Sequence, residues 1–143
     1  MIEKISEYNF DDISIGLKKE FRVRITESIV EDFAKLSGDY NPLHMDQNYA
    51  KSTKFGNRIA QGMLLSSFFS QLVGMYIPGK NALYFSQTLN FKHPCFINEE
   101  VLIQGEVKEK SLATKIITIS TKILNSTDEP LVEGLAKVII REQ

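Results

Sequence analysis

Apolar and charged residues alternate between Leu17 and Ile25. Phe21, Val23 and Ile25 fall on one side, and Glu20, Arg22 and Arg24 on the other. A period of two predicts a half-buried β-strand. At Thr26 the period changes. Ile29, Val30, Phe33, Ala34 and Leu36 recur at helical spacing, with Thr26 suited to cap the helix and Glu27 and Glu31 near its positive end. Ser37-Gly38 should stop this helix. Asn41-Pro42 predicts a loop from Asp39 to Met45, because proline pushes the preceding residue out of helical dihedrals. Asp46 then suits the cap of a short helix from Gln47 to Thr53, and Gly56 breaks a second loop from Phe55 to Arg58.

From Met63 to Tyr76 nearly every position is apolar or small: Leu64, Leu65, Ser66, Ser67, Phe68, Phe69, Ser70, Leu72, Val73 and Gly74. A helix without a polar face is buried on most sides. In a chain this short it must be the centre of the fold. Pro78-Gly79 should end it. The remainder reads as strands. Leu83, Phe85, Leu89 and Phe91 alternate with Tyr84, Ser86, Thr88 and Asn90. Val101–Val107, Thr114–Leu124 and Leu131–Ile140 follow, with Asn125–Pro130 as a turn. One buried helix and a run of antiparallel strands predict an α+β fold in which a sheet curls round the helix.

Composition narrows the function. The chain has 143 residues, 43% hydrophobic and 24% charged, which predicts one domain, residues 1–143, with a real core. The formal net charge of -1, without a basic stripe, argues against a nucleic-acid partner. The single cysteine, Cys95, excludes an intrachain disulfide and disfavours a thiolate metal cluster; no metal site is expected. The first seven residues lack an apolar signal core, and the apolar stretch Gly62–Ile77 is too short and too polar for a bilayer, which needs about 20 apolar residues. A cytoplasmic protein with no membrane partner is expected.

The chemistry concentrates in Ser37-Gly38-Asp39-Tyr40-Asn41-Pro42-Leu43-His44. A proline-stiffened turn can aim a carboxylate and an imidazole into one cavity, with a water held between them. Ordinary pKa values of about 3.9 and 6.5 let the two share acid and base work near neutral pH. The residues alone also allow a bland reading. Asp39 could cap a helix or close an Asx-turn, and His44, between Leu43 and Met45, could be a satisfied structural histidine.

The run Phe33-Ala34-x-Leu36-Ser37-Gly38-Asp39-x-Asn41-Pro42-Leu43-His44, followed by Ala50, resembles the signature of (R)-specific enoyl-CoA hydratases and MaoC-like dehydratases. Arg58-Ile59-Ala60-Gln61-Gly62-Met63-Leu64-Leu65-Ser66-Ser67-Phe68-Phe69-Ser70 resembles that family's central-helix motif. Pro78-Gly79 and Leu89-Asn90-Phe91-Lys92-x-Pro94 follow in the same order. The resemblance implies a hotdog fold, a curved antiparallel sheet wrapped round one long helix. It implies Asp39 and His44 as the catalytic pair, Asn41 as support for their loop, and Gly62 as the helix-start glycine whose N–H faces the thioester carbonyl. Ser70 would line the site near the pair. Gln61 departs from the family, whose members often have histidine there, and would alter pocket polarity. His93 reads as a loop residue before Pro94.

The implied reaction is syn addition of water to a trans-2-enoyl thioester, or its reversal. No cofactor is implied beyond the CoA or acyl-carrier protein that belongs to the substrate. The implied assembly is a homodimer. Two other readings stand beside this one: a hotdog acyl-CoA thioesterase, which would lack the Asp-x-Asn-Pro-x-His loop, and a non-catalytic subunit that binds an acyl thioester. On the central helix, Leu65, Phe69 and Leu72 are expected to floor the acyl pocket and favour roughly four to six acyl carbons.

Overall fold

Five antiparallel pairings join six strands into one sheet. The computed structural model describes residues 4–142. The reading of Met1, Ile2 and Glu3 as part of a leaderless N-terminus lies outside the described residues. β1 (Lys18–Arg24), β2 (Ala82–Gln87), β4 (Glu100–Ser111), β5 (Ile116–Leu124) and β6 (Pro130–Ile140) run in the order β1-β4-β5-β6-β2. The short β3 (Asn90–Phe91) also pairs with β6. Register shifts at Tyr84/Ser86, Val107/Glu109 and Ile123/Leu124 are bulges, which bend and twist a sheet.

Inside the curl lies α4 (Gly62–Gln71), extended by a π-helical segment, Leu72–Tyr76. Leu64, Leu65, Phe69, Leu72 and Val73 are buried against the inward residues Val101, Ile103, Ile123, Val132, Val138 and their neighbours. Gly105 of β4 makes room for this contact. A Cβ there would come within 2.8 Å of Leu72 Cδ2. The expected α+β architecture of a curved sheet round one helix is what the chain adopts.

The helix is not buried on every side. Met63, Ser67, Ser70 and Gly74 are exposed and recur along one stripe. Beside the sheet's edge, Leu83, Phe85 and Phe91 are also exposed, at 52%, 62% and 54%. Their alternation reads like that of a strand with a buried apolar face. At the end of the sheet, however, no further strand among the described residues pairs beside β2.

Three helices lead from β1 to α4. α1 (Glu27–Ser37) starts at Thr26, whose Oγ1 accepts from Ile29 N at 3.2 Å, and stops at Gly38, with φ of 81°. Its buried face is centred on Val30 and Ala34. Leu36 was expected on that face but is 85% exposed, because it lies round the helix from that centre. α2 (Pro42–Met45) occupies the region expected to be a loop. Proline constrains Asn41 to extended dihedrals but is itself well placed at the first helical position, where no N–H is needed. α3 (Gln47–Lys51) begins at Asp46, whose Oδ1 accepts from Asn48 N and Tyr49 N.

Candidate active site

Asp39 has two oxygens with different jobs. Oδ1 accepts from Asn41 N at 3.2 Å and closes an Asx-turn. Oδ2 faces His44 Nε2 at 3.8 Å. Asn41 in turn accepts from Leu43 N through Oδ1 at 3.0 Å and caps α2. The side chains of Asp39 and Asn41 therefore fold the turn that presents His44. The turn-forming reading of Asp39 is realised on one oxygen, which leaves the other directed at the imidazole.

His44 Nδ1 lies 2.7 Å from the carbonyl oxygen of Ile59. A carbonyl only accepts, so Nδ1 carries the proton. In the neutral ring Nε2 is then the lone-pair nitrogen, and it faces Asp39. At 3.8 Å the two are too far apart for a direct hydrogen bond. They are close enough for one water oxygen to reach both at about 2.8 Å.

His44 and Gly62 line the same cavity, of about 430 Å³. Ile59, Met63, Leu65, Phe91, Leu131 and Val132 supply most of its apolar wall. Gly62 is the first residue of α4, so its N–H has no intrahelical acceptor, and the helix dipole favours negative charge beside it. The segment before it is held by two adjacent amides: Ile59 N donates to Leu43 O at 3.3 Å, and Ala60 N to Cys95 O at 2.8 Å. His44 and an anion-favouring helix start thus meet at one mainly apolar pocket; Asp39 does not line that pocket itself and reaches it only through its 3.8 Å approach to His44 Nε2.

The MaoC-like domain family model matches residues 12–128. The chain belongs to the MaoC-like family. It is 39% identical over 126 residues to an (R)-specific enoyl-CoA hydratase of Aeromonas caviae, a match covering 88% of this chain and 94% of the relative. It is 36% identical over 125 residues to a mitochondrial 3-hydroxyacyl-[acyl-carrier-protein] dehydratase of Arabidopsis thaliana, covering 85% of this chain and 74% of that one. Among solved structures, an unliganded R-hydratase from Pseudomonas aeruginosa superposes with a TM-score of 0.93 at 30% identity, over 99% of this chain and 90% of that chain.

Not every residue expected at this MaoC-like site is gathered there. Ser70 lies two turns along α4, exposed in a second, mainly apolar trough with Phe33, Tyr84 and Leu89; it does not line the cavity of His44. Phe69 lines that second trough too, at 1% exposure. Leu65 alone of the three expected floor residues reaches the main cavity. Leu72 is wholly buried against Gly105 and lines neither space, because the helix turns it toward the sheet's centre. Gln61 does not line the main cavity either. It is 2% exposed and donates through Nε2 to Val30 O at 3.3 Å, so its side chain ties α4 to α1.

Other residues enter the site without having been singled out for it. His93 is more than a loop residue: it lines the cavity, donates through Nδ1 to Pro130 O at 2.7 Å and faces Glu129 at 3.7 Å. Phe91 and Met63 form walls. The Ile59 contribution is a backbone carbonyl, which no side-chain pattern signals. Cys95, behind the site, is held inert: burial, with a smaller contribution from Glu99, pushes its thiol up to about 12.

Proposed function

We propose that this chain hydrates trans-2-enoyl thioesters to (R)-3-hydroxyacyl thioesters and catalyses the reverse dehydration. One observation carries the reading: His44, whose Nε2 lies 3.8 Å from Asp39 Oδ2, lines the same apolar cavity as Gly62 at the start of α4. The names of the relatives from Aeromonas caviae and Arabidopsis thaliana support it.

In this reading the thioester carbonyl accepts from Gly62 N–H. A water donates to His44 Nε2 and Asp39 Oδ2, which leaves a lone pair for the β-carbon. Attack forms the oxygen–carbon bond as Nε2 takes a water proton, and negative charge moves to the thioester oxygen. The helix start stabilises that charge in a site of low polarity. The imidazolium, balanced by Asp39, returns its proton to the α-carbon on the same face. The net change is one water added syn. Ile59 O keeps the ring in the required tautomer throughout.

No further cofactor enters this scheme; CoA or acyl-carrier protein arrives as part of the substrate. We take the working form to be a cytoplasmic homodimer. The free side of β2 and the exposed Leu83, Phe85 and Leu135 support pairing of two copies along that edge. Sedimentation at micromolar concentration should give twice the chain mass, and a stable monomer would refute the dimer.

The test of function is crotonyl-CoA, and the same acyl group on acyl-carrier protein. Absorbance of the conjugated thioester should fall without release of free thiol. Thiol release would identify a thioesterase. Neither change, with measurable binding of the thioester, would favour the non-catalytic reading.

A further inference from the structure

Arg58 does not line the cavity, yet its side chain is only 11% exposed and both of its bonds lead to the site's framework. Nε donates to the carbonyl oxygen of His44 at 2.6 Å. Nη1 donates to Glu27 Oε1 at 2.7 Å. Glu27 is the first residue of α1, and His44 lies in the last turn of α2. One planar guanidinium therefore clamps the start of one helix to the end of another. A cation at a helix C-terminus also meets carbonyls that have no intrahelical donor.

The next residue continues the grip, since His44 Nδ1 donates to Ile59 O. His44 is thus held by its main chain through Arg58 and by its ring through Ile59. This matters because α2 has only four residues. Isolated helices need about 12–15 residues to be even marginally stable, so tertiary bonds must set where α2 sits. The segment that supplies them runs directly into Gly62.

We propose that Arg58 is a positioning residue: its bond to the His44 carbonyl sets the placement of Nε2 relative to Asp39 and to a thioester held at Gly62. The proposal rests on the hydratase reading for its kinetic consequence and on geometry alone for its structural one. Lysine cannot replace the clamp in full, because an ammonium lacks the planar fork that serves both acceptors.

Arg58→Met should lower kcat by about 10- to 100-fold with KM within about threefold, as expected when the substrate still binds but the base is misplaced. Arg58→Lys should recover part of the loss. The second readout needs no turnover. The chain has only two histidines, so ring ¹⁵N NMR can follow His44, assigned with a His93→Gln variant. The hydrogen-bonded Nδ1–H signal of His44 should be sharp in the parent, broadened or shifted in Arg58→Met, and restored toward the parent in Arg58→Lys. Should Arg58→Met not fold, Glu27→Gln, which weakens the clamp from its other end, should show the same kinetic and spectral changes at smaller size. A folded Arg58→Met with kcat within twofold of the parent, or with an unchanged His44 signal, would overturn the proposal. A parent without hydratase activity would end the functional reading and leave the spectral arm to decide the positioning.

Discussion

A methyl group on Gly62 would lie 2.7 Å from both Cδ1 and Cε1 of Phe91. The helix start and the cavity wall are thus packed so closely that the hydrogen of glycine is the largest group that fits. Phe91 is backbone-paired to Val132 in β6, so its ring must do most of the yielding. Because that ring is 54% exposed, it has somewhere to go. Gly62→Ala should therefore fold, but with the ring displaced at the cavity wall and kcat/KM reduced by about tenfold or more, an estimate drawn from the cost of small misplacements. Adding Phe91→Ala should restore much of the loss. Kinetics of the single and double variants test this, and no recovery in the double would separate the two residues.

The Asp39–His44 pair predicts a different pattern. His44→Ala and Asp39→Ala should each cost about 10²–10⁴-fold in kcat. Asp39→Asn is more informative. Its side-chain oxygen can still accept from Asn41 N and keep the turn, while the negative charge beside Nε2 is gone. Near wild-type kcat in Asp39→Asn would mean that this carboxylate only shapes the loop.

Acyl-chain preference should answer to Leu65 and not to Leu72. Leu65 lines the cavity of His44 and Gly62. With it in place, kcat/KM should peak at roughly four to six acyl carbons. Leu65→Ala should shift the preference toward longer chains, each newly buried CH₂ contributing about 0.8 kcal/mol. Leu72→Ala should destabilise the fold by about 2–5 kcal/mol, as should truncation of the similarly buried Leu65, but should leave the preference alone. Enoyl-CoAs of graded length distinguish the two; activity rising through dodecenoyl-CoA in the parent would reject the short-chain assignment.

Cys95 should be chemically silent in the native state. Its thiol is 1% exposed and raised from 9.0 to about 12 by burial and then by Glu99. Iodoacetamide at pH 8 should label the unfolded chain and spare the folded one. The linkage has a sign. The unfolded thiol ionises above about pH 9, while the folded one holds its proton until about 12. Its contribution to stability is therefore whole below pH 9 and is lost as pH rises toward 12. Rapid labelling of native protein would show that the site opens locally.

Much of this protein is legible in its sequence because much of it is local. The period of two in β1, the change at Thr26 and the stop at Gly38 depend on neighbours a few residues apart, and each stands where the pattern predicts. So does the central helix, most of whose large apolar residues are buried, although a stripe from Met63 to Gly74 is exposed. The turn at Asp39 and Asn41 is legible for the same reason, since Asx-turns are short-range devices, whereas the short helix α2 stands where the pattern predicts a loop and the grouping with His44 rests on the family resemblance. Tertiary structure decided everything that depends on a residue distant in the chain. Phe91 reaches Gly62 only because β3 pairs with β6. Ile59 and Arg58 hold His44 across 15 and 14 residues. Leu65 meets the cavity and Leu72 the sheet because the wrapped sheet, not hydrophobicity, determines what each face of α4 touches. Leu83 and Phe85 share the alternation of a buried strand yet stay exposed, because an edge is defined by the strand that is missing beside it, and no local pattern encodes that.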